Sequence, residues 1–148
     1  MQEASLRPVL KSVIRRAFPE LKHKHFTLSV GCCDSWMYYE SIGPGCVRIC
    51  VDESLLGAPH RVLAGCFAHE LSHILRDSRM RPAQRLVAFV RYNSSALYRT
   101  RDERQTDLEV IRRGYGGPLL AFMLYAQARG YEWQRNEGLT IPEVRSLL

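Results

Sequence analysis

The chain has 148 residues, 46% of them hydrophobic and 24% charged, with a formal net charge of +6. This balance describes one globular domain over residues 1–148 with a modest core and excludes a disordered or low-complexity chain. No apolar run reaches the length of a bilayer span, and no nucleic-acid motif accompanies the positive charge, so neither a membrane-spanning protein nor a nucleic-acid binder is expected.

Apolar residues at Leu6, Val9, Leu10, Val13, Ile14 and Ala17 recur at helical spacing, and Pro19 stops the run. Glu3 and several arginines interrupt this stretch, which predicts an amphipathic helix rather than a secretory signal, and with it a cytoplasmic location. Three β-prone pieces follow at 26–30, 35–42 and 46–51, the last two joined by the turn signal Gly43-Pro44-Gly45. The cysteines, Cys32, Cys33, Cys46, Cys50 and Cys66, are odd in number and contain no Cys-x-x-Cys pair; they are expected to be ordinary buried thiols.

After Gly57 the pattern is helical. Pro59 suits a first turn, and 62–75 is apolar on almost every side except at one motif, as in a buried central helix. Pro82 opens a helix through Leu86, Val87, Phe89 and Val90. Another runs from near Tyr98 to Arg113 and ends at Gly114, and a further one covers 118–129 up to Gly130. Thr140 and Glu143 offer a capping box to a last short helix. The eight arginines from Arg76 to Arg104 are read as a solvated helical face. The fold class is therefore α+β: an N-terminal helix, a small β-sheet, then a helical half.

The motif in the central helix is His69-Glu70-Leu71-Ser72-His73. Two histidines four apart lie one turn apart on one helix face, so both imidazoles can reach one zinc ion. Glu70 is placed to take a proton from a water that the metal acidifies and to carry it to a leaving amine. Zinc needs a third protein ligand. The other histidines, His23, His25 and His60, all lie upstream and are expected at the surface. A downstream carboxylate is the better candidate. On a helix, Glu103, Asp107, Val110 and Ile111 share a face, which the two apolar residues mark as buried. Glu109 falls on the other side, where it can pair with Arg113. One inward carboxylate can ligate zinc and the other can accept the free N–H of a ligand histidine. Thr100-x-x-Glu103 is also a capping-box pattern, which gives Glu103 a purely structural alternative.

His69-Glu70-x-x-His73 followed by Glu103-x-x-x-Asp107 resembles the gluzincin metallopeptidases, including the very small minigluzincins, over roughly residues 47–116. The resemblance implies a zincin-like fold with an active-site helix and a glutamate helix, Glu103 as third zinc ligand, and Asp107 as the group orienting a zinc-binding histidine. It also implies an exposed strand before the active-site helix, here 47–51, to which an extended substrate peptide adds; a plain sheet strand is the alternative. The chain lacks the membrane helices of the prenyl-protein peptidases and the large C-terminal domain of thermolysin-like enzymes. Tyr115 and Tyr98 are candidates for the missing oxyanion donor, and Cys66, one turn before His69, is expected to be a buried filler. The expected function is zinc-dependent hydrolysis of peptide or amide bonds. The alternative is a zinc-binding interaction module with little hydrolysis, and a regulatory partner is left open.

Overall fold

The structure is a computed structural model that describes residues 2–148. The expected N-terminal helix, α1, spans Gln2–Ala17, and its Leu6, Val9, Leu10, Val13 and Ala17 are buried. A single 3-10 turn at Pro19–Leu21 ends it. Three strands follow: β1 (His25–Gly31), β2 (Met37–Gly43) and β3 (Cys46–Asp52). Gly45, at φ 69°, makes the turn between β2 and β3, a left-handed conformation that glycine adopts without strain.

The sheet order is β1-β3-β2, with β3 parallel to β1 and antiparallel to β2. This corrects the expectation for residues 47–51. Those residues form the central strand, hydrogen-bonded on both sides, and offer no free edge to a peptide. Their composition agrees with that place: Val47, Ile49 and Val51 are buried on the inner face, while Arg48 on the other face is exposed, as in a mixed sheet packed on one side. The free edge toward the helical half belongs to β2.

The helical half begins with α2 (His60–Ser78), for which Pro59 is the residue just before the first turn rather than within it. Then come α3 (Pro82–Ser94), α4 (Ala96–Val110), α5 (Gly116–Gln127) and α6 (Ile141–Ser146). A wide π-type turn at Ile111–Tyr115, with Gly114 at φ 83°, redirects the chain from α4 into α5. The expected capping box holds α6: Glu143 Oε2 accepts from the Thr140 backbone N–H at 2.7 Å. α1, α2, α5, α6 and the inner face of the sheet share one hydrophobic cluster, with Phe18, Phe67, Ile49 and Leu71 wholly buried. His23, His25 and His60 are exposed, as expected. All five cysteines are free thiols; Cys50 and Cys66 are buried as expected, whereas Cys33 and Cys46 are only half-buried and Cys32 is exposed, against the expectation for these three.

The position of α2 against α5 is set by Gly65. A Cβ at this site would stand 2.1 Å from the Pro118 carbonyl oxygen and 2.8 Å from the Leu119 nitrogen, both backbone atoms of α5. Gly65→Ala is therefore expected to force the two helices apart and to cost about 3 kcal/mol, the upper end of overpacking penalties. A thermal melt should show a fall of roughly 6–12 °C; a melting temperature within a degree of wild type would show that the helices yield freely.

Candidate metal centre

α2 is buried on nearly every side, from Val62 through Ala68 and again at Leu71, Ile74 and Leu75. Its one uncovered strip carries His69, Glu70 and His73, which open into a cleft of about 870 Å³. α4 crosses this strip. Its own packing face, marked by buried Thr106, Asp107 and Val110, turns a row of carboxylates toward the two histidines.

The two imidazoles point the same nitrogen at the same oxygen. His69 Nε2 and His73 Nε2 lie 3.1 and 3.3 Å from Glu103 Oε2. These three atoms form a group compact enough to hold a metal ion. Zinc bonded at about 2.0–2.2 Å in a tetrahedron places neighbouring donor atoms about 3.3–3.6 Å apart, so these two spacings need little adjustment to fit such an ion. The opposite nitrogen of each ring meets another carboxylate: Asp107 Oδ1 lies 2.9 Å from His69 Nδ1, and Asp102 Oδ2 lies 3.5 Å from His73 Nδ1. Both rings are thus aimed with Nε2 inward.

The capping-box alternative for Glu103 does not hold. α4 starts at Ala96, its N-cap is Ser95, whose hydroxyl accepts from the Tyr98 N–H, and Thr100 lies inside the helix, donating to the Ala96 carbonyl. Glu103 instead gives one oxygen to the histidines and accepts at the other, Oε1, from the Tyr92 hydroxyl at 2.5 Å. Burial raises the Glu103 carboxyl, but the hydrogen bonds from His69 and His73 more than offset this and hold it well below the usual carboxylate range. Burial likewise lowers the His69 imidazole, and hydrogen bonds to Asp107 and Glu103 carry it well above its ordinary value.

Glu70 differs from its neighbours. Its carboxyl lines the cleft and makes no hydrogen bond among the described residues, and burial pushes it up, against the pull of the two imidazoles. Four carboxyl groups, those of Glu70, Asp102, Glu103 and Asp107, surround the two rings. Arg76, which donates to Asp102 and to Thr106 Oγ1, is the one fixed cation bonded to this group among the described residues. Such an excess of buried negative charge is best stabilised by a cation. The chemistry of the donor set and its charge both fit a divalent metal.

Sequence reasoning did not find Asp102, Arg76, Tyr92 or Tyr39. The Tyr39 hydroxyl donates to Asp77, and its ring stacks on His73 with centroids 6.5 Å apart. Their signal is weak in one dimension: Tyr92 and Tyr39 reach the site from other elements, and Asp102 and Arg76 matter because α2 and α4 cross where they do. Of the two tyrosines singled out beforehand, Tyr98 lines the cleft, whereas Tyr115 packs against the hydrophobic cluster instead. Cys66 is a buried thiol pushed up by burial and is outside the ligand group. Glu109 pairs with Arg113 at 2.7 Å, as expected.

Asp107 is also tied to the C-terminal segment. Its Oδ2 accepts from the Leu139 N–H at 2.9 Å. Beside it, Arg104 donates to the Gly138 carbonyl and, through two nitrogens each at 3.0 Å, to both oxygens of Glu143. The guanidinium and then the Thr140 N–H pull the Glu143 carboxyl down to about 2 from 4.5. A depressed carboxylate stabilises the fold above its unfolded value and loses that contribution as pH falls through the folded one. The Glu143 resonance followed by NMR should therefore titrate near pH 2, and Arg104→Met should return the midpoint toward 4.5. An unchanged midpoint in the variant would remove Arg104 as the cause.

Compared with family models, with curated proteins and with solved structures, the chain matches none of them. The site is therefore read from its own chemistry.

Proposed function

We propose that the chain is a zinc-dependent hydrolase of peptide bonds, of gluzincin type. The observation that supports this most is the convergence of His69 Nε2, His73 Nε2 and Glu103 Oε2, beside a Glu70 carboxyl that nothing else engages. Two imidazoles and one carboxylate, with room in an open cleft for a fourth position, are the donor set of a catalytic rather than a structural zinc. When bound, zinc supplies the Lewis acidity that polarises a carbonyl and acidifies a water.

The chain's own groups do the rest. Glu70 accepts the proton of the attacking water on its carboxylate and returns it to the leaving nitrogen; burial, which raises its proton affinity, suits both halves of that task. Asp107 and Asp102 hold the histidine rings, and Tyr92 fixes the second oxygen of Glu103 so that it presents Oε2 alone. The free edge of β2, whose Met37, Tyr38 and Tyr39 line the cleft, is the place for an extended peptide to pair by its main chain. Tyr98, in the same cleft and with no hydrogen bond to its hydroxyl among the described residues, is the candidate donor to the developing oxyanion.

Protein purified without added metal is expected to carry one zinc per chain by elemental analysis. It should cleave members of a mixed peptide library, stop on chelation and recover on addition of zinc. A chain that cannot be loaded with zinc at neutral pH would end this reading.

A further inference from the structure

α3 buries no residue. Its Leu86, Val87, Phe89 and Val90, and Leu97 at the start of α4, are between 50% and 67% exposed. They account for most of the large exposed hydrophobic side chains among the described residues. At 3.6 residues per turn the four α3 side chains fan over the outward half of the helix. Ala88 and Tyr92 lie opposite, and Tyr92 fastens the helix to Glu103. Arg85 and Arg91 stand at the two borders of the apolar fan. Arg85 lines the cleft on one side of α3, and Arg91 lines a second hollow on the other.

The charge is as one-sided as the hydrophobicity. Residues 78–101 hold six arginines, at 79, 81, 85, 91, 99 and 101, and no aspartate or glutamate. The chain has 21 basic and 15 acidic residues, so this one corner carries its entire net charge and the remainder is balanced. Among the described residues only Arg79 of the six forms an ion pair, with Glu20 at 3.6 Å, and that pair is exposed; Arg99 is half-buried and donates to the Tyr92 carbonyl.

We infer that α3 is an interfacial helix that docks the protein on an anionic phospholipid surface, its apolar fan in the headgroup boundary and its arginines on the lipid phosphates. An apolar strip bordered by arginines is the pattern of helices that lie in a bilayer interface, where long basic side chains reach from the apolar layer to the headgroups. A second copy of the chain fits poorly, because a symmetric pairing of the fan would bring Arg85 and Arg91 at its borders against their own counterparts. Nucleic acid would satisfy the charge but would leave the apolar fan in water. No described helix is long and apolar enough to cross a membrane, so the attachment is peripheral. Phe89 and Arg85 also line the cleft, so docking would place its rim at the lipid surface. The inference stands on α3 alone and does not depend on hydrolysis.

Flotation of the full chain with phosphatidylcholine vesicles, with and without phosphatidylserine, tests it. The protein should float with the anionic vesicles, much less with the neutral ones, and release at high salt. R85Q/R91Q should weaken binding about thirtyfold, at about 1 kcal/mol per charge near the surface. L86S/F89S should weaken it about tenfold or more. All four side chains are exposed, so the melting temperatures should stay at the wild-type value. Failure to float with anionic vesicles at low salt would overturn the inference. So would flotation that L86S/F89S leaves intact, which marks adsorption by charge alone. Sedimentation velocity that shows a dimer abolished by L86S/F89S would assign the face to a second copy. An oligonucleotide bound equally by wild type and L86S/F89S, without vesicle binding, would assign it to nucleic acid.

Discussion

Glu103→Ala is expected to weaken zinc binding by more than about a hundredfold. The substitution removes the oxygen that stands 3.1 and 3.3 Å from the two imidazole nitrogens, leaving two ligands where a catalytic zinc has three. Loss of a group that only orients a ligand typically costs about ten- to a hundredfold, and loss of a ligand should exceed that. The two aspartates set the scale. Asp107→Ala and Asp102→Ala should each fall in the ten- to hundredfold range. Asp107 should cost more, since it lies closer to its ring, at 2.9 Å against 3.5 Å. Asp107→Ala should also lower the melting temperature without metal, because it strands the Leu139 N–H. Competition titration with a chromophoric chelator, together with melts in the presence and absence of zinc, separates these effects. Wild-type affinity in Glu103→Ala with none in Asp107→Ala would move the ligand role to Asp107.

Glu70→Gln should leave zinc affinity within a few-fold of wild type while lowering hydrolysis by about a hundredfold to ten-thousandfold, the usual contribution of a positioned general base. The amide keeps the shape but cannot accept the water's proton. Glu70 makes no hydrogen bond that the change would break, so stability should be unaffected. The comparison is of kcat/KM on one cleaved peptide, with metal content measured on the same samples. Equal cleavage by the variant would refute the general-base role. Zinc bound tightly by a wild-type chain that cleaves nothing would instead favour the zinc-binding interaction module.

Much of the architecture was legible in the residues. The helix of α1, the strand pieces, the Gly43-Pro44-Gly45 turn, the break at Gly114 and the Thr140–Glu143 cap are set by interactions within a few residues, and the structure places each where the pattern put it. The approach of Glu103 and Asp107 to the histidines was legible for a related reason. Residues four apart on a helix share a face, and the apolar Val110 on the same face announced that it turns inward. The capping-box alternative failed because the helix begins earlier, with Ser95 as its N-cap, which leaves Thr100 inside the helix.

By itself, then, the sequence determined the elements, their order, and the faces that carry the histidines and the carboxylates, because helical and strand periodicity are properties of neighbouring residues. The tertiary structure alone decided three things. Strand order put β3 in the middle and β2 at the free edge, since pairing joins residues far apart in the chain and the hydrophobic run of β3 does not name its partners. The crossing of α2 and α4 brought Asp102 and Arg76 into the site, and the placement of α3 and β2 added Tyr92 and Tyr39; none of these contacts is between residues less than eleven apart. And α3 turned its Leu86, Val87, Phe89 and Val90 outward, where periodicity records only that a helix has an apolar face and is silent about what that face meets.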